Sequence, residues 1–118
     1  MTSASHLPIY NAAFLLAKDM HERVQRFDKG HKYQLGEKIL CASVDIIMLI
    51  TCANKKNNGS ARVEELQKLE VKIDEILVYV RIAEELKQFN SAKAYPHLIE
   101  TVTSISRQCA GWKNSYVK

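Results

Sequence analysis

Ten of the twelve residues from Ile39 to Ile50 are apolar, and only Ser43 and Asp45 interrupt them. The run sits inside YQLGEKILCASVDIIMLITCAN, residues 33–54. A helix that faces one core needs an apolar stripe little wider than ~100°, and this segment is apolar almost all round. A membrane span requires about 20 apolar residues without a central aspartate, so the run is too short and too interrupted. A buried strand rarely exceeds about eight residues. The remaining reading is a central helix of a helical domain, covered on more than one side, with the other segments packed around it.

The rest of the composition agrees. A chain of 118 residues with four Gly and two Pro has few places to turn. It is long enough for one domain with a real core. Pro8 fits the first turn of a helix to about Phe27, where its missing N–H costs nothing. Ile9, Ala13, Leu16, Met20, Val24 and Phe27 step by three and four along one face, with Tyr10, Phe14 and Ala17 beside them. A turn at residues 28–32 follows, in which Gly30 is placed to take a left-handed helix-ending conformation. After the central helix, Asn54 to Ser60 reads as a loop, with Ser60 as the N-cap of a third helix. There Leu66, Leu69, Ile73, Ile76, Val80 and Ala83 make a heptad seam. A last helix begins near Ser91 or Ala92, so that Pro96 stays near its first turn. Its seam is Tyr95, Leu98, Val102, Ile105, Cys109, Trp112 and Tyr116.

The expectation is therefore an all-α, antiparallel up-down-up-down four-helix bundle forming a single domain over 1–118. The helices fall near 8–27, 33–54, 61–88 and 92–114. Leu16, Met20, Ile39, Ile46, Leu49, Ile73, Val80, Leu98, Val102 and Ile105 should be core. Val71, Val78 and Ile82 lie opposite the third helix's seam, where a single-core helix would be polar. They and one side of the Ile39–Ile50 run are candidate subunit-interface surface.

Chemistry is sparse. The four histidines (His6, His21, His31, His97) are scattered, and no HExxH, ExxH, GxxxxGK[ST] or GxGxxG occurs. Glu64-Glu65, Asp74-Glu75 and Glu84-Glu85 are interspersed with lysines and arginines, as on a solvated, ion-paired face. No catalytic residue, metal site or cofactor is expected. Cys41, Cys52 and Cys109 have no metal-ligand spacing. The first two lie roughly 16 Å apart by helical rise, so reduced, buried thiols follow, and with them a cytoplasmic location. The start MTSASHLP lacks the basic and apolar regions of a secretory signal. Asp45, the charge inside the apolar run, is either paired with a cation such as Lys18 or set in a seam between subunits. Gly111-Trp112 reads as core packing at the end of the bundle, the glycine allowing close approach or fraying the helix.

The net charge is +4, a mild excess whose meaning depends on its distribution. Lys18, Arg23, Arg26, Lys29 and Lys32 follow one another on the first helix and its turn. Arg107 and Lys113 lie off the seam of the last helix. These seven are the candidate nucleic-acid contacts.

Several segments together carry a resemblance: LPIYNAA at the start, KYQLGEK opening the second helix, LVYVRIAEEL in the third and RQCAGWKNS at the end. In that order and spacing the chain resembles the accessory variability determinant (Avd) family of diversity-generating retroelements. That family is related to the four-helix proteins of intervening sequences in 23S ribosomal RNA genes. The resemblance runs from Leu7 to Lys113, with Tyr33-x-Leu35-Gly36 and Gly111-Trp112 its most specific elements. The ribosomal relatives carry an SIxxNIAEG-like stretch where this chain has SVDIIMLITCAN, which favours the Avd branch. The resemblance implies a homopentameric barrel without catalytic activity that binds a reverse transcriptase and RNA or DNA during mutagenic retrohoming. The alternative is a helical protein–protein interaction module of the ribosomal-intervening-sequence type that binds no nucleic acid.

Overall fold

A computed structural model describes residues 3–116. A short 3₁₀ turn at Ala4–His6 precedes α1 (Pro8–Val24), the single-turn α2 (Lys29–Lys32), α3 (Leu35–Lys55), α4 (Gly59–Glu85) and α5 (Ala94–Asn114). The four long helices run alternately up and down as a rod of 45 × 23 × 21 Å. The 27-residue α4 alone spans about 40 Å at 1.5 Å per residue. Each helix packs on two neighbours: α1 on α3 and α5, and α4 on α3 and α5.

This order corrects the picture of a central helix. Residues 35–55 form one corner of a square and are covered by α1 and α4. Ile39, Ala42, Ser43, Ile46, Ile50 and Ala53 face the core. Val44 and Met48, 51% and 54% exposed, lie on the outside. Leu49 is half-buried at the edge of the core, and Ile50 occupies the central position instead. The seams of the other helices hold as read. Leu66, Leu69, Ile73, Ile76, Val80 and Ala83 are the buried residues of α4. Ile9, Ala13, Leu16, Met20, Val24 and Phe27 are buried on and just after α1. In α5, Leu98, Val102, Ile105 and Cys109 are buried and Tyr95 and Trp112 pack at the edge, while Tyr116, just after the helix, is exposed. Each fully buried large aliphatic side chain contributes ~1.5–3 kcal/mol relative to exposure, which ties the helix register to the core.

The helix ends differ in detail from the sequence reading. Asn58, two residues before Ser60, caps α4, its Oδ1 accepting from the Ala61 amide at 2.8 Å. Both residue types are good caps, and the short connection after Lys55 brings the earlier one into place. Gly30 is not left-handed, because the chain makes the extra helical turn α2 there. The left-handed residue is Lys87, φ 59°, which ends α4. The Gln88 amide donates to the Ala83 carbonyl at 3.0 Å and the Lys87 amide to that of Glu84 at 2.9 Å, a Schellman closure. Pro96 is the third residue of α5, where its missing N–H is one that no helical carbonyl would have met.

Gly36 and Gly111 have opposite roles. A Cβ on Gly36 would stand 2.6 Å from Val24 Cγ1, so the glycine lets the start of α3 lie against the end of α1. Val24 is buried and β-branched, with little freedom to yield. Gly111 has open space around it, so close approach is not its reason for being glycine. Gly36→Ala should therefore destabilise the fold by ~1–3 kcal/mol, as overpacking does. Gly111→Ala should stabilise it by up to about 1 kcal/mol through helix propensity. Urea titrations of the two variants check the pair of signs.

Candidate functional site

The antiparallel topology gathers basic residues at one end of the rod. The α1–α3 connection and the α4–α5 connection lie there, tied by Gln88. Its Oε1 accepts from the Asp28 amide at 2.8 Å, and its Nε2 donates to Asp28 Oδ2 at 3.2 Å and to the Leu86 carbonyl at 2.8 Å. Arg26, Lys29 and Lys32 stand on the first connection and Lys87 and Lys93 on the second. Lys32 Nζ lies 5.6 Å from the ring centre of Tyr33, which is 61% exposed. Lys87 and Lys93 were not among the sequence candidates. The signal that would have found them is the parity of the helices, which folds residues 86–93 back beside residues 25–34.

The other candidates are dispersed. Arg23 Nε is bonded to Asp19 at 2.9 Å, and Lys113 Nζ to Glu70 at 2.9 Å. Lys18 is exposed midway along α1, and Arg107 is exposed on α5, 13 residues from its start. That places Arg107 roughly 20 Å along the rod from the beginning of α5. Five of the seven therefore form no ion pair among the described residues, and three of those five share one end.

The three interface candidates lie on the outside of α4, with Val71 69%, Val78 57% and Ile82 41% exposed. A second exposed apolar group sits on the side formed by α1 and α3. Gly36 against Val24 fixes the register of that antiparallel pair, which sets Phe14 level with the Val44–Met48 segment. Phe14 is 47% exposed and stacks on Tyr10, ring centres 6.3 Å apart.

Asp45 has a different partner from the one expected. It faces α4 rather than α1, with Lys72 Nζ 3.4 Å from its carboxylate, and Lys18 is not involved. Lys72 also bonds Glu75 at 2.7 Å, and the Tyr79 hydroxyl donates to Glu75 at 3.1 Å. The bond to Glu75 raises the Lys72 pKa, and the same bond lowers that of Glu75. Burial, then the bond to Glu75, holds Tyr79 above its ordinary value. These groups line a groove of about 590 Å³ between α3 and α4, together with Glu37, Lys38 and Cys41. Of its polar groups, Asp45, Lys72, Glu75 and Tyr79 bond to one another, as on an ion-paired helix face.

At the opposite end Arg62 gathers the loose backbone at the end of α3. Its guanidinium donates to the carbonyls of Ala53 at 2.9 Å, Lys56 at 2.7 Å and Asn54 at 3.5 Å, and to the Tyr116 hydroxyl. It also lies 5.9 Å from the Trp112 ring centre and 5.3 Å from that of Tyr116. The expectation of three buried thiols fails for two of them. Cys41 is exposed and Cys52 half-buried; only Cys109 is buried, 3.6 Å from the Leu66 carbonyl. Burial, with Glu70 adding to it, pushes the Cys109 thiol up to about 11. Among the described residues no His, Cys, Asp and Glu cluster is arranged to hold a metal ion, and no helix is long and apolar enough to cross a membrane.

These features define an all-α four-helix protein with basic residues collected at one end and apolar side chains left on its flanks. Its sequence matches the model of the bAvd-like family over residues 12–116. The chain belongs to that family, the bacterial accessory variability determinants. Searches of curated proteins and of solved structures returned no match. Membership implies an accessory role in a diversity-generating retroelement.

Proposed function

We propose that this chain is a non-catalytic, oligomeric accessory protein that holds nucleic acid for a retroelement reverse transcriptase during mutagenic retrohoming. The observation that supports nucleic-acid binding most directly is the shared basic end, where Arg26, Lys29, Lys32, Lys87 and Lys93 come from two connections. A single protomer presents few charges. An oligomer with its copies around one axis repeats them and makes a band that fits a phosphate backbone. Contacts of this kind carry no sequence information, and Tyr33 is the exposed aromatic at this end for stacking on a base. The exposed apolar flanks on α3 and α4 support assembly, with five copies of 13.5 kDa as the family's form.

Labelled RNA and single-stranded DNA titrated at ~50 and ~200 mM salt test the reading. Binding should weaken steeply over this range, with a log–log slope of roughly −0.7 per single-strand phosphate neutralised. Arg26→Glu with Lys29→Glu should abolish binding at the lower salt, whereas Arg107→Glu should weaken it far less. An intact oligomer that binds neither nucleic acid would leave a protein-only interaction module, the alternative reading. No change on reversing Arg26 and Lys29 would move the site elsewhere.

A further inference from the structure

We infer that a small cavity at the basic end seats a single phosphate dianion, a phosphomonoester or free phosphate, with Arg23 and Arg26 on one wall and Asn90 and Ser91 on the other. The cavity lies between the end of α1 and the α4–α5 connection. It has a volume of about 60 Å³ and is lined by Arg23, Arg26, Gln88, Phe89, Asn90 and Ser91. A site that encloses a whole small molecule takes roughly 300–1,000 Å³, so this one has room for one tetrahedral anion and not for the nucleoside behind it. With nucleic acid as the source of the phosphate, the inference rests on the reading above and adds to it a preference for a phosphorylated strand end. A backbone phosphodiester is hemmed in by two sugars and carries one charge. A terminal monoester is open on three oxygens and carries about −1.5 to −2.

The fold builds the two walls separately and then locks them together. Arg23 and Arg26 are three residues apart, which makes them neighbours on a helical surface. The closing turn of α1 runs through them: the Arg26 amide donates to the Arg23 carbonyl and the Phe27 amide to that of Val24, both at 3.0 Å. Buried Phe27 meets Phe89 edge-on, ring centres 5.8 Å apart, so the lining residue Phe89 is packed in place. Gln88 is 5% exposed, and both its amide hydrogens are spent on Asp28 and the Leu86 carbonyl. It therefore fixes residues 88–91 beside the end of α1 and offers the cavity no donor of its own.

The donors left over are those an anion needs. Arg23 uses only Nε, on Asp19, so its two terminal nitrogens carry no hydrogen bond among the described residues. Arg26 and Asn90 are exposed, and neither side chain is bonded among those residues. The Ser91 hydroxyl accepts from the Lys93 amide at 3.1 Å, which leaves its own hydrogen to donate. No carboxylate lines the cavity. Glu84 and Glu85 line a neighbouring surface of the same connection beside Lys87, so an anion belongs on the Arg23–Arg26 side. Two guanidiniums suit bidentate capture of phosphate oxygens.

Two titrations of the full chain at low salt test the inference. Inorganic phosphate, compared with sodium chloride at matched ionic strength, should shift the amide resonances of residues 88–91 saturably. A single-stranded oligonucleotide with a terminal phosphate, tried at each end in turn, should bind about tenfold tighter than its unphosphorylated form. That is the worth of one charge-assisted hydrogen bond after screening. Arg23→Gln, and separately Asn90→Ala with Ser91→Ala, should erase both the phosphate shifts and the preference. Lys29→Gln should weaken both oligonucleotides alike and keep their ratio. Phosphate shifts without an end preference would uphold the seat and make free phosphate its ligand. Shifts spread over surface lysines, or a preference that survives both variants, would overturn it. Neither shift nor preference in a protein that still binds oligonucleotides would also overturn it, leaving the nucleic-acid reading standing. Saturable phosphate shifts with no oligonucleotide binding would uphold the seat and remove that reading.

Discussion

Replacing Val78 by glutamate should break the assembly into monomers while each protomer stays folded. Val78 is 57% exposed and its side chain is turned away from the core, so a carboxylate there is hydrated in an isolated protomer. Within an assembly that covers the stripe, the same carboxylate loses water and gains no partner from the apolar face opposite. An unpaired buried charge costs several kcal/mol, which corresponds to a loss of two or more orders of magnitude in association. Light scattering should report a fall from about 68 kDa for a pentamer of 13.5 kDa chains to a single chain. Far-ultraviolet circular dichroism should keep its helical signature. The apparent melting temperature will drop with the loss of partners by mass action, so the comparison belongs at matched, dilute concentration. A wild-type protein that is already monomeric, or a variant that retains the full mass, would contradict the expectation.

Arg62→Ala should be the most costly substitution among the partly exposed polar residues. The side chain satisfies carbonyls at the end of α3, where no further turn exists to do so, and it lies against two aromatic rings, Trp112 in the last helix and Tyr116 just after it. Hydrogen bonds from a charged donor contribute ~1.5–3 kcal/mol each, and partial exposure reduces their sum. A net loss of about 2–4 kcal/mol is expected, together with fraying of residues 53–60 and 112–116. Arg62→Lys should recover little of it, because one ammonium cannot reproduce the planar fork that reaches several carbonyls at once. The measurement is denaturant unfolding combined with amide exchange at the two segments. Loss of less than about 1 kcal/mol, or full rescue by lysine, would show that the carbonyls are served by water.

The sequence disclosed the bundle because three of its helices show clean stripes. Periodicity in α4 and α5 named buried residues almost one for one. The Ile39–Ile50 run was harder for a physical reason. With apolar residues on nearly every side, periodicity cannot choose between Leu49 and Ile50. That choice depends on where α1 and α4 sit. The same ambiguity misassigned Asp45 to Lys18, although position 45 lies on the α4 side of its helix. End details were beyond reach for another reason. Asn58 and Ser60 are equally good caps, and a left-handed lysine at residue 87 has no compositional mark at all. The basic end was half visible: Arg26, Lys29 and Lys32 are consecutive enough to notice, but Lys87 and Lys93 join them only through the fold.

An even number of alternating helices has a directional consequence. The start of α1 and the end of α5 emerge at one end of the rod, beside the α3–α4 loop, while Arg26, Lys29, Lys32, Lys87 and Lys93 occupy the other. In a ring of the kind proposed, every copy would point the same way along the axis, giving two unlike rims. One would gather the α1–α3 and α4–α5 connections; the other would gather the α3–α4 loop, the starts of α1 and the ends of α5. A tether attached ahead of α1 or after α5 would crowd the same rim and leave the opposite one open, which would make such a ring a one-sided platform.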